Sequence, residues 1–243
     1  MAEVHEIADG IYRIATYVPA IRFVFTQFLI KDEQPLLYHT GSRAMFEQTL
    51  EGVKQVIDPA TLRYISWSHL EADECGATNA FLEVAPNAEP VQGQIGALIG
   101  VGDFFTRPVR PMGDSDTLDL GKHKLRFMIT PHVPHAWDAI IAYEEMTGTL
   151  LVSDLFTTFG EQRATSESDL IEPSMQALGQ LPGYLPIGPH TARVFDRLEA
   201  LQPKAIAGHH GPTYTGNAVD ALRDLRGALF EFSAKRQEEG ADG

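Results

Sequence analysis

The chain has 243 residues, 44% hydrophobic and 21% charged, which is enough apolar material for a full core and excludes a disordered chain. Its formal charge of 19 − 33 = −14 repels phosphate backbones, and no local basic patch offsets it, which excludes nucleic acid as a partner. The single cysteine, Cys75, excludes a disulfide framework. No apolar run is long enough for a bilayer and the charged opening MAEVHEIADG lacks a signal core, so a cytoplasmic location is expected.

No repeat or linker interrupts the chain, so one domain is expected over residues 1–243, with a frayed tail from about residue 234 to 243. Short apolar segments at residues 11–14, 23–25, 28–30 and 35–38 predict strands. Phe46, Leu50, Val53 and Ile57 share one helical face, which Pro59 is expected to terminate. The pattern then becomes strand, polar loop, helix. A strand over 64–67 runs into SHLEADECGA, and a helix over 78–84 follows. Leu125, Phe127 and Ile129 alternate in a strand that ends at TPHVPHAWD, and Leu150, Leu151 and Val152 lead into SDLFTTFG. Val194, Leu198 and Leu201 make a helical stripe before the strand 205–207, which runs into GHHGP, and a last helix carries Val219, Leu222, Leu225, Leu229 and Phe232. Strands in both halves with helices between and after them predict an α/β fold of two sheets sandwiched by helices.

Four of these strands deliver histidine or carboxylate residues just past their C-terminal ends, which hydrophobic patterning does not require. They are His69, Glu71, Asp73 and Glu74; His132, His135 and Asp138; Asp154; and His209 with His210. Loops at such strand ends are the usual address of a site in a layered α/β protein. If HLEADE stays extended, His69, Glu71 and Asp73 point the same way. Imidazole with two carboxylates suits a hard or borderline metal. An acidic loop with one histidine is more often solvated surface, and it is the recurrence of such segments in order that favours a metal site.

The order HxExD, His-x-x-Asp, Ser-Asp and His-Gly-Pro resembles the metallo-β-lactamase superfamily, whose fold is a four-layer αββα sandwich. Glu71, standing where hydrolase branches have histidine, resembles the flavodiiron branch. The opening DGIYRIA, FLIKDEQPLLYHTG, LDLGKHKLRFMITP and TGTLLVSDLFTTFG extend the likeness over nearly the whole chain. The resemblance implies that His69, Glu71 and His135 hold one iron, that Asp154 bridges, and that Asp73 and His210 hold the second. His135 is preferred to His132 for its spacing to Asp138, and His210 to His209 because it directly precedes Gly211-Pro212. His132 and His209 stay as neighbours that support the ligands, and one extra residue after Pro131 keeps His132 an alternative.

Three departures stand out. Glu74 occupies the place of a family histidine, either ligating the second iron as a carboxylate or turning away. His39 occupies the aspartate position of LIDTG-like turns, which suggests a replaced structural residue. No flavin-cradling loop follows the core, so this chain is expected to bind no flavin, and any electron donor or signalling partner is expected to be a separate protein. With Glu71, Asp73, Glu74 and Asp154 as ligands, four negative charges would neutralise two divalent ions, and such carboxylate-rich ligation favours iron.

Two readings follow. The first is a di-iron protein that binds, senses or reduces dioxygen, or nitric oxide, without membrane or nucleic-acid partners, as a homodimer. The alternative is a hydrolase of the same superfamily that uses zinc or manganese. A third possibility is a silent site, with Glu74 as its first lost ligand. Among the other histidines, His5 and His123 are expected in exposed stretches and His190 at a helix start. Trp67, Trp137, Phe156 and Phe159 are expected to pack in the core.

Overall fold

The computed structural model describes residues 2–101, 103–181 and 183–241. In the first sheet, β1 (Glu3–Ala8), β2 (Ile11–Val18), β3 (Phe23–Ile30), β4 (Leu36–Tyr38), β5 (Tyr64–Ser66), β6 (Glu89–Gly93) and β7 (Arg110–Met112) lie side by side in chain order. The second sheet runs β12 (Thr165–Ser166), β14 (Thr213–Tyr214), β13 (Ala205–Gly208), β11 (Thr149–Ser153), β10 (Ile140–Glu144), β9 (Lys124–Ile129) and β8 (Thr117–Asp119). The helices are α1 (Phe46–Lys54), α2 (Ala72–Cys75), α3 (Thr78–Val84), α4 (Ile171–Gln180), α5 (Thr191–Ala200) and α6 (Ala218–Ala241).

The two-residue period of the strands sorts the apolar side chains into separate interfaces. Phe28, Leu36, Tyr38, Leu125, Phe127, Ile140 and Leu151 meet between the sheets. Leu29, Leu37 and Ile65, on the opposite face of the first sheet, pack under Leu50 and Val53 of α1 and Phe81 of α3. Met128, Ile141, Leu150, Val152 and Ile206, on the outer face of the second sheet, pack against Phe195 of α5 and Leu222, Leu225 and Leu229 of α6. The layers are therefore helix, sheet, sheet, helix, the αββα sandwich that the motifs implied.

Parallel pairing places the site segments together. β4 pairs with β5, and β11 with β13, in parallel, so each pair ends on one edge of its own sheet. The sheets are joined at that edge, where Ser68 Oγ donates to the Ile140 carbonyl at 2.7 Å and the Ile140 amide to the Ser68 carbonyl at 3.0 Å.

Several local expectations change. β3 is continuous, because Thr26 and Gln27 are buried within it and do not break it. The charged opening forms β1, an edge strand on β2. α1 ends at Lys54, and Pro59 instead starts a 3-10 turn, where its missing N–H costs nothing. α6 continues to Ala241 through the stretch expected to fray. His123 is buried and not exposed: its Nδ1 lies 3.1 Å from Glu144 Oε1, and its amide donates to Asp32 at 2.6 Å. Trp137 is 45% exposed and is not core, whereas Trp67 and Phe156 are buried.

Candidate metal centre

The HLEADE segment is not extended throughout. Glu71 has β backbone angles, φ −140° and ψ 151°, and α2 begins at Ala72. His69 and Glu71 therefore turn to one side, while Asp73 and Glu74 leave in different directions from a helical turn. The loop is pinned from below by Asp138, whose Oδ2 accepts the Leu70 amide at 2.9 Å.

Asp154 is delivered by an irregularity. The β11–β13 register shifts between Leu151 and Ser153, and Ser153 has a left-handed φ of 53°. Bulges and left-handed residues of this kind re-aim a side chain at a cost that a functional site can retain. His39 (φ 65°) and Phe156 (φ 62°) bend the neighbouring loops in the same way.

The first group of donors is His69, Glu71, His135 and Asp154. Glu71 Oε2 lies 2.9 Å from His69 Nε2 and 3.1 Å from His135 Nε2. Asp154 Oδ2 lies 3.5 Å and 3.2 Å from the same two nitrogens. Donors about 2.1 Å from one ion are separated by about 3.0 Å at octahedral angles and about 3.4 Å at tetrahedral ones, so the imidazoles and carboxylates, which here hydrogen-bond to each other through Glu71, are spaced to share one ion. The second group is Asp73, His209 and His210, so His209 stands among the donors and not only behind them, and Asp154 Oδ1 lies beside it, 3.2 Å from His210 Nε2 and 3.6 Å from His209 Nδ1. Asp73 Oδ2 is 3.4 Å from His210 Nε2. Asp154 thus turns one oxygen to each group. Both oxygens are buried and lack a hydrogen-bond partner among the described residues, an arrangement that calls for a cation.

The imidazoles are oriented from behind. His135 Nδ1 donates to the Tyr184 carbonyl at 2.9 Å and His210 Nδ1 to the Val24 carbonyl at 2.8 Å, which leaves both Nε2 lone pairs facing the centre. The Tyr184 ring also packs on His135, with centroids 4.8 Å apart. Nothing in the sequence pattern pointed to Tyr184, which comes from the loop between α4 and α5. Asp138 was visible there only through its spacing to His135.

Glu74 lies elsewhere. It groups with His39 and His209, all fully buried, and not with Asp73. Its Oε2 accepts the amides of Ser68 at 2.9 Å and His69 at 2.7 Å, and its Oε1 accepts from Ser153 Oγ. His39 Nε2 is 3.3 Å and His69 Nδ1 3.4 Å from Oε1. The two departures noted in the sequence, His39 and Glu74, therefore face each other. His132 is exposed, with its ring 5.8 Å from that of His190, and stands outside the donor groups.

The field at the centre is negative. Burial draws the His69 imidazole down, but Glu74, Glu71 and Asp154 together carry it up to about 10. Burial likewise opposes His210, which contacts with Asp154 and Asp73 raise to about 10. His135 and His69 hold the Glu71 carboxyl down at about 2. Burial pushes the Glu74 carboxyl up, to about 8, against the pull of His69.

The centre opens beside Glu71, whose side chain is 47% exposed. A cavity of about 220 Å³ there is lined by Leu70, Glu71, Cys75, Phe104 and Phe105. On the His210 side, Phe23 and Phe25 pack on the imidazole, with centroids 4.4 and 5.2 Å away.

An αββα sandwich carrying carboxylate-and-histidine donor groups at the C-terminal ends of its strands is a metallo-β-lactamase-like protein. Residues 23–211 match the family model described as ODP family beta lactamase, and the chain belongs to that family. It is 32% identical over 197 residues to a protein named putative diflavin flavoprotein A 1 of Thermosynechococcus vestitus, covering 77% of this chain and 34% of the relative. It is 27% identical over 229 residues to flavo-diiron protein FprA2 of Clostridium acetobutylicum, covering 86% and 57%. The chain thus spans between about a third and somewhat over half of these curated relatives. The rubredoxin oxygen:oxidoreductase of Desulfovibrio gigas shares the fold, with a TM-score of 0.82 at 21% identity over 93% of this chain and 62% of that one.

Proposed function

We propose that this protein is a non-haem di-iron protein that binds, senses or reduces dioxygen. His69, Glu71, His135 and Asp154 would hold one iron, and Asp73, Asp154 and His210 the other. The observation that carries this reading is the buried, unpartnered Asp154 carboxylate, with one oxygen turned to each donor group. Glu71 gives the first group two carboxylates beside its two imidazoles, which suits iron better than a thiophilic or all-imidazole site would. The fold-sharing rubredoxin oxygen:oxidoreductase, named for work on oxygen, and the flavo-diiron name of FprA2 support the same choice.

When bound, a pair of irons supplies reversible electron exchange with a diatomic ligand. The chain's own residues then have separable tasks. Tyr184 and Val24 fix the imidazole tautomers through their carbonyls, while Phe23 and Phe25 screen His210 from water. Glu71, the most exposed member of the groups, stands at the opening where a small ligand enters. Glu74 anchors the His69 backbone and faces its Nδ1, so its proposed role is to position a ligand. Electrons would come from a separate redox protein.

Anaerobically reduced, iron-loaded protein is expected to gain visible absorption on exposure to air, and to keep it far longer than one turnover of a typical enzyme, about 0.1 s. Protein that takes up zinc in place of iron when iron is abundant, stays spectrally silent in air, and hydrolyses esters or lactams in a way that Asp154→Ala abolishes, would contradict the proposal.

A further inference from the structure

β13 ends at Gly208, so His209 and His210 follow in a turn, and both side chains face the centre where strand residues would alternate. The His209 amide donates to the Ser153 carbonyl at 2.7 Å, which fixes the residue beside Asp154. The two imidazoles stack, with centroids 4.1 Å apart and planes at 21°. They present different atoms. His210 uses Nδ1 on the Val24 carbonyl and turns Nε2 to Asp154 and Asp73. His209 turns Nδ1, the nitrogen nearer the backbone, to Asp154 Oδ1. Adjacent residues thus reach one region, one with its near nitrogen and the other with its far one.

His209 is fully buried, and neither of its ring nitrogens has a hydrogen-bond partner among the described residues. Two sets of neighbours compete for it: Asp73 with His210, and His39 with Glu74. Glu74 is the weaker claimant. Its Oε1 lies 4.0 Å from His209 Nδ1 and already faces Ser153 Oγ, His39 Nε2 and His69 Nδ1, while its Oε2 accepts two backbone amides. Asp154 Oδ1 is nearer, at 3.6 Å, and accepts no hydrogen bond among the described residues. That separation is too long for a hydrogen bond. It suits two donors that share an ion, because donors about 2.1 Å from one centre lie at most about 4.2 Å apart. We propose that His209 Nδ1 is a ligand of the second position, beside Asp73, Asp154 and His210. Each position then has two imidazoles and two carboxylates, with Asp154 common to both. His209 in this role presupposes two ions joined by Asp154, whether or not those ions are iron.

Cobalt(II) counts the imidazoles directly, because each bound ring carries one N–H whose proton resonance is shifted far outside the ordinary range by the paramagnetic ion. The purified full chain with two cobalt ions is expected to show such exchangeable signals from His69, His135, His209 and His210, and His209→Asn should lose one of them when excess cobalt fills both positions. His209→Asn should also weaken the second ion by more than about 100-fold, beyond the usual cost of losing a residue that only orients a ligand, and change the first by less than about threefold. His209→Asp returns a donor oxygen near the place of Nδ1 and should recover most of that affinity. A packing role predicts the reverse order, since the neutral asparagine then substitutes well and the buried aspartate does not. Two bound cobalt ions with an unchanged set of signals in His209→Asn, or a His209→Asn protein that holds the second ion as tightly as the parent, would overturn the assignment. Uptake of a single cobalt ion would contradict the two-position reading itself. A preference for zinc over iron, with the His209 signal present, would contradict the iron reading alone and support His209 as a ligand.

Discussion

Asp154→Ala is expected to remove both ions together, the largest single effect on metal content that any substitution in this chain should produce. Its two carboxylate oxygens face different donor groups, so each position loses a carboxylate oxygen and the pair loses the side chain that faces both. Glu71→Ala should empty the first position alone and Asp73→Ala the second alone, while His123→Ala, which alters a buried pair with Glu144, should empty neither. Elemental analysis after dialysis against a weak chelator separates these outcomes. An Asp154→Ala protein that keeps one ion would mean that the residue serves one position only.

Glu74→Ala should lower folding stability by about 3–5 kcal/mol, the usual cost of removing one partner from a buried charged network. The substitution strips the acceptor from the amides of Ser68 and His69 and leaves His39 facing a void. By releasing His69 it should also weaken the first ion about 10–100-fold, the usual effect of losing a residue that orients a ligand. Glu74→Gln keeps an acceptor for both amides and is expected to recover most of the stability and to retain both ions. The comparison is decisive because an amide is a poor metal ligand. If Glu74 itself ligated, Glu74→Gln would lose an ion as thoroughly as Glu74→Ala does. Urea denaturation with parallel metal analysis reads both effects.

These residues also mark what the sequence could and could not disclose. The donor-bearing segments were legible because apolar strands have no use for His69, Asp154 or His210 at their ends, so any such placement stands out against the packing pattern. The layer order was legible for the same reason, since alternation in Leu36, Leu37 and Tyr38 already divides two interfaces. The direction of Glu74 was not. It depends on the chain turning helical at Ala72, and a four-residue helix leaves too short a period to read. His123 sits in the polar stretch GKHKL and looked exposed; its burial comes from Glu144, 21 positions away in sequence, and from the close approach of Gly10, where an added Cβ would lie 2.6 Å from the imidazole Nε2. Trp137 looked like core because large aromatics usually are, yet it lies at the surface, where Gly100 passes close to its ring. The pairing of His39 with Glu74 was out of reach of one sequence, because each residue alone reads as a loss and only their contact reveals an exchange.

The central claim is that Asp154 joins two iron positions, and anomalous diffraction at the iron edge tests it most directly. Crystals of iron-loaded protein should give two peaks, one among His69, Glu71, His135 and Asp154 and the other among Asp73, Asp154 and His210, with the Asp154 carboxylate between them. A single peak, a peak confined to His39, Glu74 and His209, or scattering that appears only at the zinc edge from iron-replete cells would contradict the account.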